Sequence, residues 1–349
     1  MDGILRWASR GFLRSTSSRR RLERFRTLGT ILVVSLLIAG VAGQPRETPK
    51  GCASAHYRIV AIPLRPYHVN DAGAIAGMTE QHRAALWTEK DGLKIADLPQ
   101  GFHHAEGVDV NLNGQLLGTA STADGSRRQS FLYEGGKVTL LPGDGARANA
   151  INAAGELAGE AKLAGSTGPV LWRQGKALSL GACCGGRATG LNDHGEVVGE
   201  AYDKQGRYQA FVWTEKAGLR VIGPADTYSA AATVNQRGDV IVYAFTNGSW
   251  LYRDGIPTKM ELSKRWPSQP RGMNACGVVV GSFGANSDES EAFLWDDKSG
   301  FRNLNDLVAL NSGWKLEVAS SINERGEIAG WGDHGGDDDA GFLLIPETQ

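Results

Sequence analysis

Four arginines recur at nearly the same place in a repeated stretch of the chain, and their chemistry suits anion binding. Three of them stand five residues before an Asn-x-x-Gly sequence, and the fourth stands three residues before one. They are Arg65, Arg147, Arg187 and Arg271. A guanidinium group binds a carboxylate through two parallel hydrogen bonds, so arginines gathered at one place predict an anion site. The alternative is a set of structural ion pairs between neighbouring repeats, for which Glu106 is the obvious partner.

Two histidines and a glutamate stand close together before the second Asn-x-x-Gly sequence, at His103, His104 and Glu106. A carboxylate beside imidazoles is a combination that supplies a general acid and a general base. With the neighbouring arginines, these residues define an enzymatic hypothesis, a lyase or hydrolase acting on an extracellular polysaccharide. The spacing of the histidines fits no metal site. The alternative to the enzymatic hypothesis is that both histidines are simply solvated. No catalytic motif is recognisable, so no catalytic residue is assigned.

A group of aspartates near the end of the sequence has the chemistry of a calcium site. Asp333, Asp337, Asp338 and Asp339 supply carboxylates, which Ca²⁺ binds together with the carbonyls of a loop. Their spacing is not that of a known calcium loop, and clustered acids on a loop are commonly just solvated. Ca²⁺ is thus the one cofactor to test, and no other cofactor is predicted.

The elements that position these residues come from one pattern repeated seven times. An apolar residue precedes Asn, two variable residues, Gly, three mostly apolar or small residues and usually Gly, as in LNDHGEVVG from Leu191. The seven asparagines are Asn70, Asn111, Asn152, Asn192, Asn235, Asn274 and Asn323. Their spacings are 41, 41, 40, 43, 39 and 49 residues. A period near 40 residues indicates a repeat architecture.

Each repeat contains four short runs typical of β-strands and no segment with a helical period. The first run leads into the Asn, the second follows the Gly, the third is aromatic, and the fourth follows a Gly-containing turn. The Asn-x-x-Gly sequence predicts a hairpin with a type I turn and a left-handed Gly, in which the Asn side chain binds backbone two residues on. Its recurrence within one turn type favours a structural role for the asparagines over a ring of ligands.

Four-stranded units at this period predict an all-β fold, a seven-bladed β-propeller over residues 57–346. The last repeat ends after its third strand, at Pro346. We therefore expect an N-terminal strand, Tyr57–Ile62, to close the last blade and hide its edge. In such a propeller, which we expect to be monomeric, the four arginines lie at one mouth of the central channel.

The sequence resembles the HAF-repeat family of bacterial extracellular proteins over residues 57–346. The resemblance rests on the Ile-Asn-x-x-Gly-x-Val-Val-Gly hairpins, the Ala-Phe-Leu-Trp strands and the Phe-Leu-Leu-x-Pro ending. Leu304-Asn-Asp-Leu307, with Ser312-Gly-Trp314 after it, adds support. Val242 departs from the pattern, because it stands where the other repeats have a closing Gly. The family implies an exported, propeller-like protein but no agreed activity and no catalytic residues.

The N-terminal residues predict a targeting segment. Residues 1–43 carry eight arginines and two acidic residues. The basic stretch 1–26 is expected to stay in the cytoplasm, and the apolar stretch 27–43 suits a signal peptide or an uncleaved membrane anchor. Residues 44–56 form a linker to the propeller. The protein is therefore expected to be exported, whether secreted, periplasmic or at the cell surface, and to meet a membrane only through this segment if it stays uncleaved.

Four cysteines in an exported chain suggest disulfides. Cys183 and Cys184 are adjacent, so they form a vicinal disulfide or stay free, and their loop is expected on the face opposite Cys276. Cys52 precedes the closing strand on the same face as Cys276, which makes a Cys52–Cys276 bond conceivable.

The charge balance excludes nucleic acid as the partner. Residues 44–349 carry 29 basic and 36 acidic residues, so the body of the protein is negatively charged. A polysaccharide or an envelope protein is the expected ligand, held on the face that carries the arginines. The sequence thus favours a non-enzymatic binding or scaffold module of the cell envelope or surface, with the polysaccharide-degrading enzyme as the alternative.

Overall fold

The computed structural model describes residues 53–143, 145–224, 227–245, 248–286 and 289–347. These residues form seven four-stranded antiparallel sheets, arranged as the blades of a propeller. Within the described part of the chain, the one helical element is a 3-10 turn at Leu304–Leu307. The predicted all-β, seven-bladed propeller is confirmed.

The first four blades each use four consecutive strands, which follow one another from the channel outward. Blade one contains β2 (Arg65–Val69), β3 (Ile75–Met78), β4 (Ala84–Thr88) and β5 (Gly92–Ile95). Blade two contains β6 (His104–Val110), β7 (Leu116–Ser121), β8 (Arg128–Glu134) and β9 (Lys137–Leu140). Blade three contains β10 (Arg147–Ile151), β11 (Leu157–Leu163), β12 (Ser166–Arg173) and β13 (Lys176–Ser179). Blade four contains β14 (Gly186–Leu191), β15 (Val197–Tyr202), β16 (Tyr208–Thr214) and β17 (Gly218–Val221).

The remaining blades follow the same order except at the closure. Blade five contains β18 (Ser229–Val234), β19 (Val240–Ala244), β20 (Gly248–Arg253) and β21 (Ile256–Lys259). Blade six contains β22 (Ser268–Met273), β23 (Val279–Phe283), β24 (Glu291–Asp296) and β25 (Gly300–Asn303). Blade seven contains β26 (Trp314–Ile322), β27 (Ile328–His334), β28 (Asp337–Pro346) and β1 (Tyr57–Ile62).

The N-terminal strand closes the ring as the sequence predicts. All six residues of β1 pair with β28, from Tyr57 opposite Pro346 to Ile62 opposite Gly341. Both terminal side chains of β1 are buried, so the closure adds apolar contact as well as backbone hydrogen bonds.

The Asn-x-x-Gly turns have the predicted geometry. In the fourth repeat, the N–H of Gly195 donates to the carbonyl of Asn192 at 3.1 Å, and Gly195 has a φ of 75°. The Asn192 side-chain oxygen accepts the backbone N–H groups of His194 at 3.1 Å and Glu196 at 3.0 Å. All seven asparagines are buried and cap their turns, which confirms their structural role. The face formed by these turns is called the lower face, and the opposite face is called the upper face.

The same asparagines also join every blade to the next in a closed circle. Each side-chain nitrogen donates to the backbone carbonyl of the equivalent Asn in the following blade, at 2.7–3.3 Å. The last bond runs from Asn323 in blade seven to Asn70 in blade one at 3.0 Å, which completes the circle. This Asn ring satisfies buried polar groups at each blade interface.

Every innermost strand also carries a β-bulge at the same position. The bulged residues, which line the channel, are Tyr67, Val108, Asn149, Thr189, Ala232, Arg271 and Ser320. Some of them also join neighbouring blades, because Thr189 donates to the carbonyl of Ala231 at 2.7 Å and Ser320 to that of Pro66 at 2.9 Å. A bulge re-aims one side chain out of the sheet, so each blade presents one variable residue to the channel.

The closing Gly, which six of the seven repeats carry, makes room within a blade. In blades two, four, six and seven it lies opposite a fully buried Phe of the third strand, as Gly199 lies opposite Phe211. A Cβ atom on Gly199 would lie 2.1 Å from the carbonyl oxygen of Arg187 and 2.9 Å from the Phe211 ring. Only Gly fits there, because the first strand and the Phe ring occupy both sides.

Candidate functional site

Three of the four arginines lie where innermost strands begin on the upper face, and Arg271 lies further along its strand, at the bulge. The four do not form one ring of free cations. Two of them are neutralised within their own blade, because the register places a glutamate of the second strand opposite each. Arg147 Nη1 lies 3.7 Å from Glu160 Oε1, and Arg187 Nε lies 3.2 Å from Glu200 Oε1. Ion pairs therefore do form, but these two lie within a blade rather than between blades. Glu106 lies opposite Thr119 and forms no ion pair in the described part of the chain.

The other two arginines meet at one aromatic ring from blade seven. The guanidinium of Arg65 lies 4.1 Å from the centre of the Trp331 ring, and that of Arg271 lies 5.9 Å from it. Arg65 is also paired with Asp339 of blade seven, with Nη1 and Oδ1 3.0 Å apart. Blades six, seven and one thus bring two guanidinium groups to one indole, where cation–π attraction helps to hold them.

Unlike the other three arginines, Arg271 has no carboxylate partner among the described residues. Its Nη2 lies 3.3 Å from the Gln269 side-chain oxygen, and no ion pair involves Arg271 among the residues that the structure describes. Burial and then the guanidinium of Arg65 lower the pKa of Arg271 from its ordinary value, while the nearby Tyr243 hydroxyl opposes this shift. A guanidinium stays protonated at neutral pH, so Arg271 is an unneutralised cation whose side chain is exposed to solvent.

Arg271 faces a cleft large enough for a ligand. The cleft has a volume of about 850 Å³ and is lined by Arg65, Gln269, Arg271, Ser290, Lys315 and Trp331, with acidic residues of blade seven at one side. This volume falls within the usual range for small-molecule sites. Arg271 also lines the central channel, so the cleft is where the channel opens onto the upper face.

Tyr243 of blade five supports the strand that carries Arg271. Its hydroxyl donates a hydrogen bond to the carbonyl of Pro270, and burial raises the pKa of Tyr243 to about 12. Neither Tyr243 nor Trp331 was a candidate from sequence. Their position in the repeat could have identified them, because both directly follow the place of the closing Gly. In blades three and four the residues at that position are Glu160 and Glu200.

Deeper in the channel, His68 of blade one meets Asp109 of blade two. His68 Nδ1 lies 2.7 Å from Asp109 Oδ1, and Asp109 Oδ2 accepts the backbone N–H of Ile151 at 2.9 Å. Burial alone lowers the pKa of His68, but the Asp109 carboxylate, with a smaller contribution from Asp71, more than offsets burial and raises the pKa. The pair thus links three blades through a charge that depends on pH.

We expect the His68–Asp109 pair to stabilise the protein more at acid pH than at alkaline pH. Because the folded-state pKa of His68 is raised, this contribution is fully present below the unfolded pKa near 6.5 and is lost as the pH rises through the folded pKa. The free energy of unfolding of wild type should exceed that of His68→Gln at pH 5.5, by less than about 1 kcal/mol because the side chain is solvent-screened. Denaturant titrations at pH 5.5 and 9 check this, and a difference that grows with pH would contradict it.

The lower mouth of the channel is acidic. Glu324 of blade seven accepts the backbone N–H of Ala275 at 2.9 Å, and Asp71 of blade one accepts that of Glu324 at 2.8 Å. Burial raises the pKa of Glu324; the Ala275 hydrogen bond opposes this shift, and the charge of Asp71 adds to it. The lower mouth thus carries carboxylates, whereas the cleft at the upper mouth has both basic and acidic side chains.

The structure does not gather the histidine candidates around one point. His103 and His104 are both exposed, and the ring of His104 lies edge-on to that of His82 at 5.7 Å. Glu106 is half-buried, and its side chain makes no hydrogen bond to either histidine among the described residues. An acid, a base and a charge stabiliser within reach of one atom are therefore not assembled by these three residues.

The acidic residues of blade seven lie in strands and not in a loop. Asp333 belongs to β27, and the other three, Asp337, Asp338 and Asp339, belong to β28, with the two-residue turn Gly335–Gly336 between the strands. His334 stacks on Trp314, with 4.3 Å between ring centres. Over the part of the chain that the structure describes, no group of three or more His, Cys, Asp or Glu side chains is placed to hold a metal ion.

Cys183 and Cys184 form a vicinal disulfide in the loop between blades three and four. Cys276 is disulfide-bonded as well. Cys52 lies outside the described residues, so the proposed Cys52–Cys276 pairing stays a prediction. The basic stretch 1–26, the apolar stretch 27–43 and most of the linker 44–56 also lie outside them. A search of the described residues finds no helix of the length and apolarity needed to span a membrane.

No protein-family model and no curated protein matches this sequence. Solved structures do match its fold. A streptogramin B lyase structure aligns with a TM-score of 0.55 at 10% identity, covering 84% of this chain and 99% of the other. YCF48 bound to D1 peptide aligns with a TM-score of 0.53 at 10% identity, covering 84% and 97%. The WD40 β-propeller domain of Doa1 aligns with a TM-score of 0.52 at 13% identity, covering 85% and 97%.

These similarities show the propeller fold and do not show an activity. One of the matched proteins is bound to a peptide and another is a lyase, so the fold accommodates both binding and catalysis. The resemblance to the HAF-repeat family remains a prediction.

Proposed function

We propose that this protein is an exported binding module of the cell envelope or surface, which holds a carboxylate-bearing ligand in the upper-face cleft between blades six, seven and one. The single observation that carries the proposal is the unneutralised guanidinium of Arg271, set over Trp331 beside Arg65 and facing a cleft of about 850 Å³. A carboxylate would offset the repulsion between the two guanidinium groups and gain a charge-assisted hydrogen bond. The basic and apolar stretches of residues 1–43 support export.

Binding of small anionic probes tests the proposal. We expect trigalacturonate, an acidic sugar, or a triglutamate peptide to bind in isothermal titration calorimetry, and the better probe distinguishes a polysaccharide from a protein ligand. Arg271→Gln should raise the dissociation constant about ten- to a hundredfold, because a hydrogen bond to a charged group contributes about 1.5–3 kcal/mol. Raising the ionic strength should also raise the dissociation constant of the wild type.

The matched control is Arg147→Gln, which changes an arginine on the same face that Glu160 already neutralises. Its dissociation constant should stay within about twofold of wild type, since an exposed pair contributes little. Equal loss in both variants would mean a general charge effect and would reject the cleft as the site. Conversion of bound trigalacturonate to shorter or unsaturated products would instead establish the enzymatic alternative.

A further inference from the structure

Four aromatic side chains from blades four and five form an exposed cluster on the upper face. The Tyr208 ring lies 5.9 Å from that of Tyr202, 5.0 Å from that of Tyr228 and 5.5 Å from that of Phe245. Tyr202 is 37% exposed, Tyr228 46% and Phe245 68%. These four residues are called the aromatic platform. Contiguous exposed aromatic rings of this kind mark a binding surface, because they would otherwise be buried.

The backbone holds the platform in place before any ligand arrives. Tyr202 and Tyr208 are directly opposite each other at the end of the β15–β16 hairpin. The turn between them is fixed by Asp203, whose carboxylate accepts the backbone N–H of Arg207 at 2.9 Å and pairs with its guanidinium at 2.9 Å. Preorganised rings lose little conformational entropy on binding, which favours affinity.

A second backbone link joins the two loops that carry the outer rings. The N–H of Phe245, at the end of the second strand of blade five, donates to the carbonyl of Tyr228 at 3.1 Å. Tyr228 itself precedes the first strand of that blade, so the ring of Tyr208 in blade four lies against both loops. The platform therefore spans the boundary between two blades.

A polar cavity adjoins the platform at Tyr202. It has a volume of about 360 Å³, and its walls include Tyr202, the Arg187–Glu200 pair and Cys184 of the vicinal disulfide. Glu200 keeps only 14% of its side chain exposed, whereas Arg187 keeps 54%. The pair is neutral overall, and Glu160, which pairs with Arg147, also lines the cavity. The wall therefore presents both N–H donors and carboxylate acceptors. Such a wall suits a group that both donates and accepts hydrogen bonds, as a sugar hydroxyl does, better than it suits an ion.

We propose that the aromatic platform and this cavity form a binding site for neutral pyranose rings of a polysaccharide. The apolar C–H face of a pyranose carries a small positive charge, which the negative face of an aromatic ring attracts. The hydroxyls at the edge of the sugar then reach the Tyr hydroxyls and the Arg187–Glu200 pair. The cavity is at the small end of the range for ligand sites, which fits one or two sugar units better than the side chains of a protein partner.

This site does not depend on the anion site at Arg271, because its arginine is already neutralised and its recognition comes from rings and hydroxyls. The two sites can serve one mixed polysaccharide or two different ligands. Their tests use different probes and different variants, so the failure of one leaves the other standing.

The experiment measures binding of two neutral probes, cellohexaose and chitohexaose, to the full chain by isothermal titration calorimetry and by quenching of tyrosine fluorescence. Wild type should bind at least one hexaose with a micromolar to millimolar dissociation constant. The double variant Tyr228→Ala, Phe245→Ala should raise that constant at least about tenfold, since each stacked ring contributes of the order of a tenfold gain. Phe245→Trp should restore or improve binding, which a merely structural role would not explain.

Ile256→Ala is the matched control, because Ile256 lies on the outer strand of the same blade and is 68% exposed, as is Phe245. It should bind as wild type does, and so should Arg147→Gln, which changes an arginine of the upper face outside this cavity. Glu200→Gln should weaken binding while leaving the melting temperature nearly unchanged. The proposal is overturned if wild type binds neither hexaose at millimolar concentration, or if the double variant binds as tightly as wild type. The proposal is also overturned if wild type binds no hexaose and the double variant loses a protein partner that wild type binds. The platform would then be a protein-binding surface.

Discussion

Replacing Asn192 with Ala is expected to lower the free energy of unfolding by about 3 kcal/mol, because several buried polar groups lose their partners at once. Asn192 is 1% exposed. Its side-chain oxygen accepts the N–H groups of His194 and Glu196, and its nitrogen donates to the carbonyl of Asn235 at 3.0 Å. The melting temperature should fall by roughly 5 °C. Thermal and urea denaturation, followed by circular dichroism, measure both quantities.

Asn192→Asp separates the turn from the ring. The Asp keeps an oxygen that caps the turn but cannot donate to Asn235, and it places a negative charge beside Glu196, whose carboxylate lies 2.7 Å from the Asn192 nitrogen. At pH 7 this variant should lose nearly as much stability as the Ala variant. The loss should shrink as the pH falls, because protonation of either carboxyl relieves the repulsion between them.

The matched control is Asn113→Ala, which removes a different bond between blades. The exposed Asn113 side chain donates to the carbonyl of Ala153 at 2.8 Å. Because water can replace that bond, the loss should stay under about 1 kcal/mol. If Asn192→Asp were as stable as wild type, the amide donor would contribute nothing to the free energy of unfolding. The Asn ring would then be only a geometric feature.

Gly199→Ala is expected to cost about 3 kcal/mol or more, although it adds a single methyl group. The new Cβ would lie 2.1 Å from the Arg187 carbonyl oxygen and 2.8 Å from the Cα of Ala188, so backbone and not a flexible side chain must move. Phe211, fully buried on the other side, leaves no direction for relief. Urea titrations of the two proteins would show a lower midpoint at unchanged slope.

Gly168→Ala is the corresponding control, since Gly168 lies in β12 and an added Cβ would have no heavy atom within 4 Å. It should be neutral or slightly stabilising, because Ala restricts the unfolded chain. Blade five is the exception, because it carries Val242 at the place of the closing Gly, opposite Trp250. If Gly199→Ala were as stable as wild type, the backbone of blade four would have to yield more easily than its packing indicates.

The sequence predicts the propeller well because each blade is a local structure. The Asn-x-x-Gly turn, the strand runs on either side of it and the closing strand at Tyr57–Ile62 all follow from spacings within about 40 residues or from a missing strand. The same reasoning could have predicted the ion pair between Arg147 and Glu160. Those two positions flank one hairpin, and the register of that hairpin follows from the turn.

The upper-face sites could not be predicted in that way because they join blades distant in sequence. Arg65 and Arg271 meet only because the ring closes, and they meet at Trp331, which the repeat pattern treats as one more apolar position. The Asn ring likewise exists only in the closed circle, since no single repeat contains both partners of a bond. The residue pattern within a repeat therefore predicts the blade, whereas the binding surface depends on how the seven blades are arranged in the closed circle.

The uniform direction of the Asn ring has an electrostatic consequence. Every amide donates to the following blade in the same rotational sense, so the seven bond dipoles point head to tail around a circle. The components of these dipoles that lie in the plane of the circle cancel, so the Asn ring favours no side of the channel. The charges at the two mouths of the channel, such as Arg271 and Glu324, belong instead to side chains that differ from blade to blade. Ligand preference can change through those side chains while the hydrogen bonds that hold the circle together stay the same.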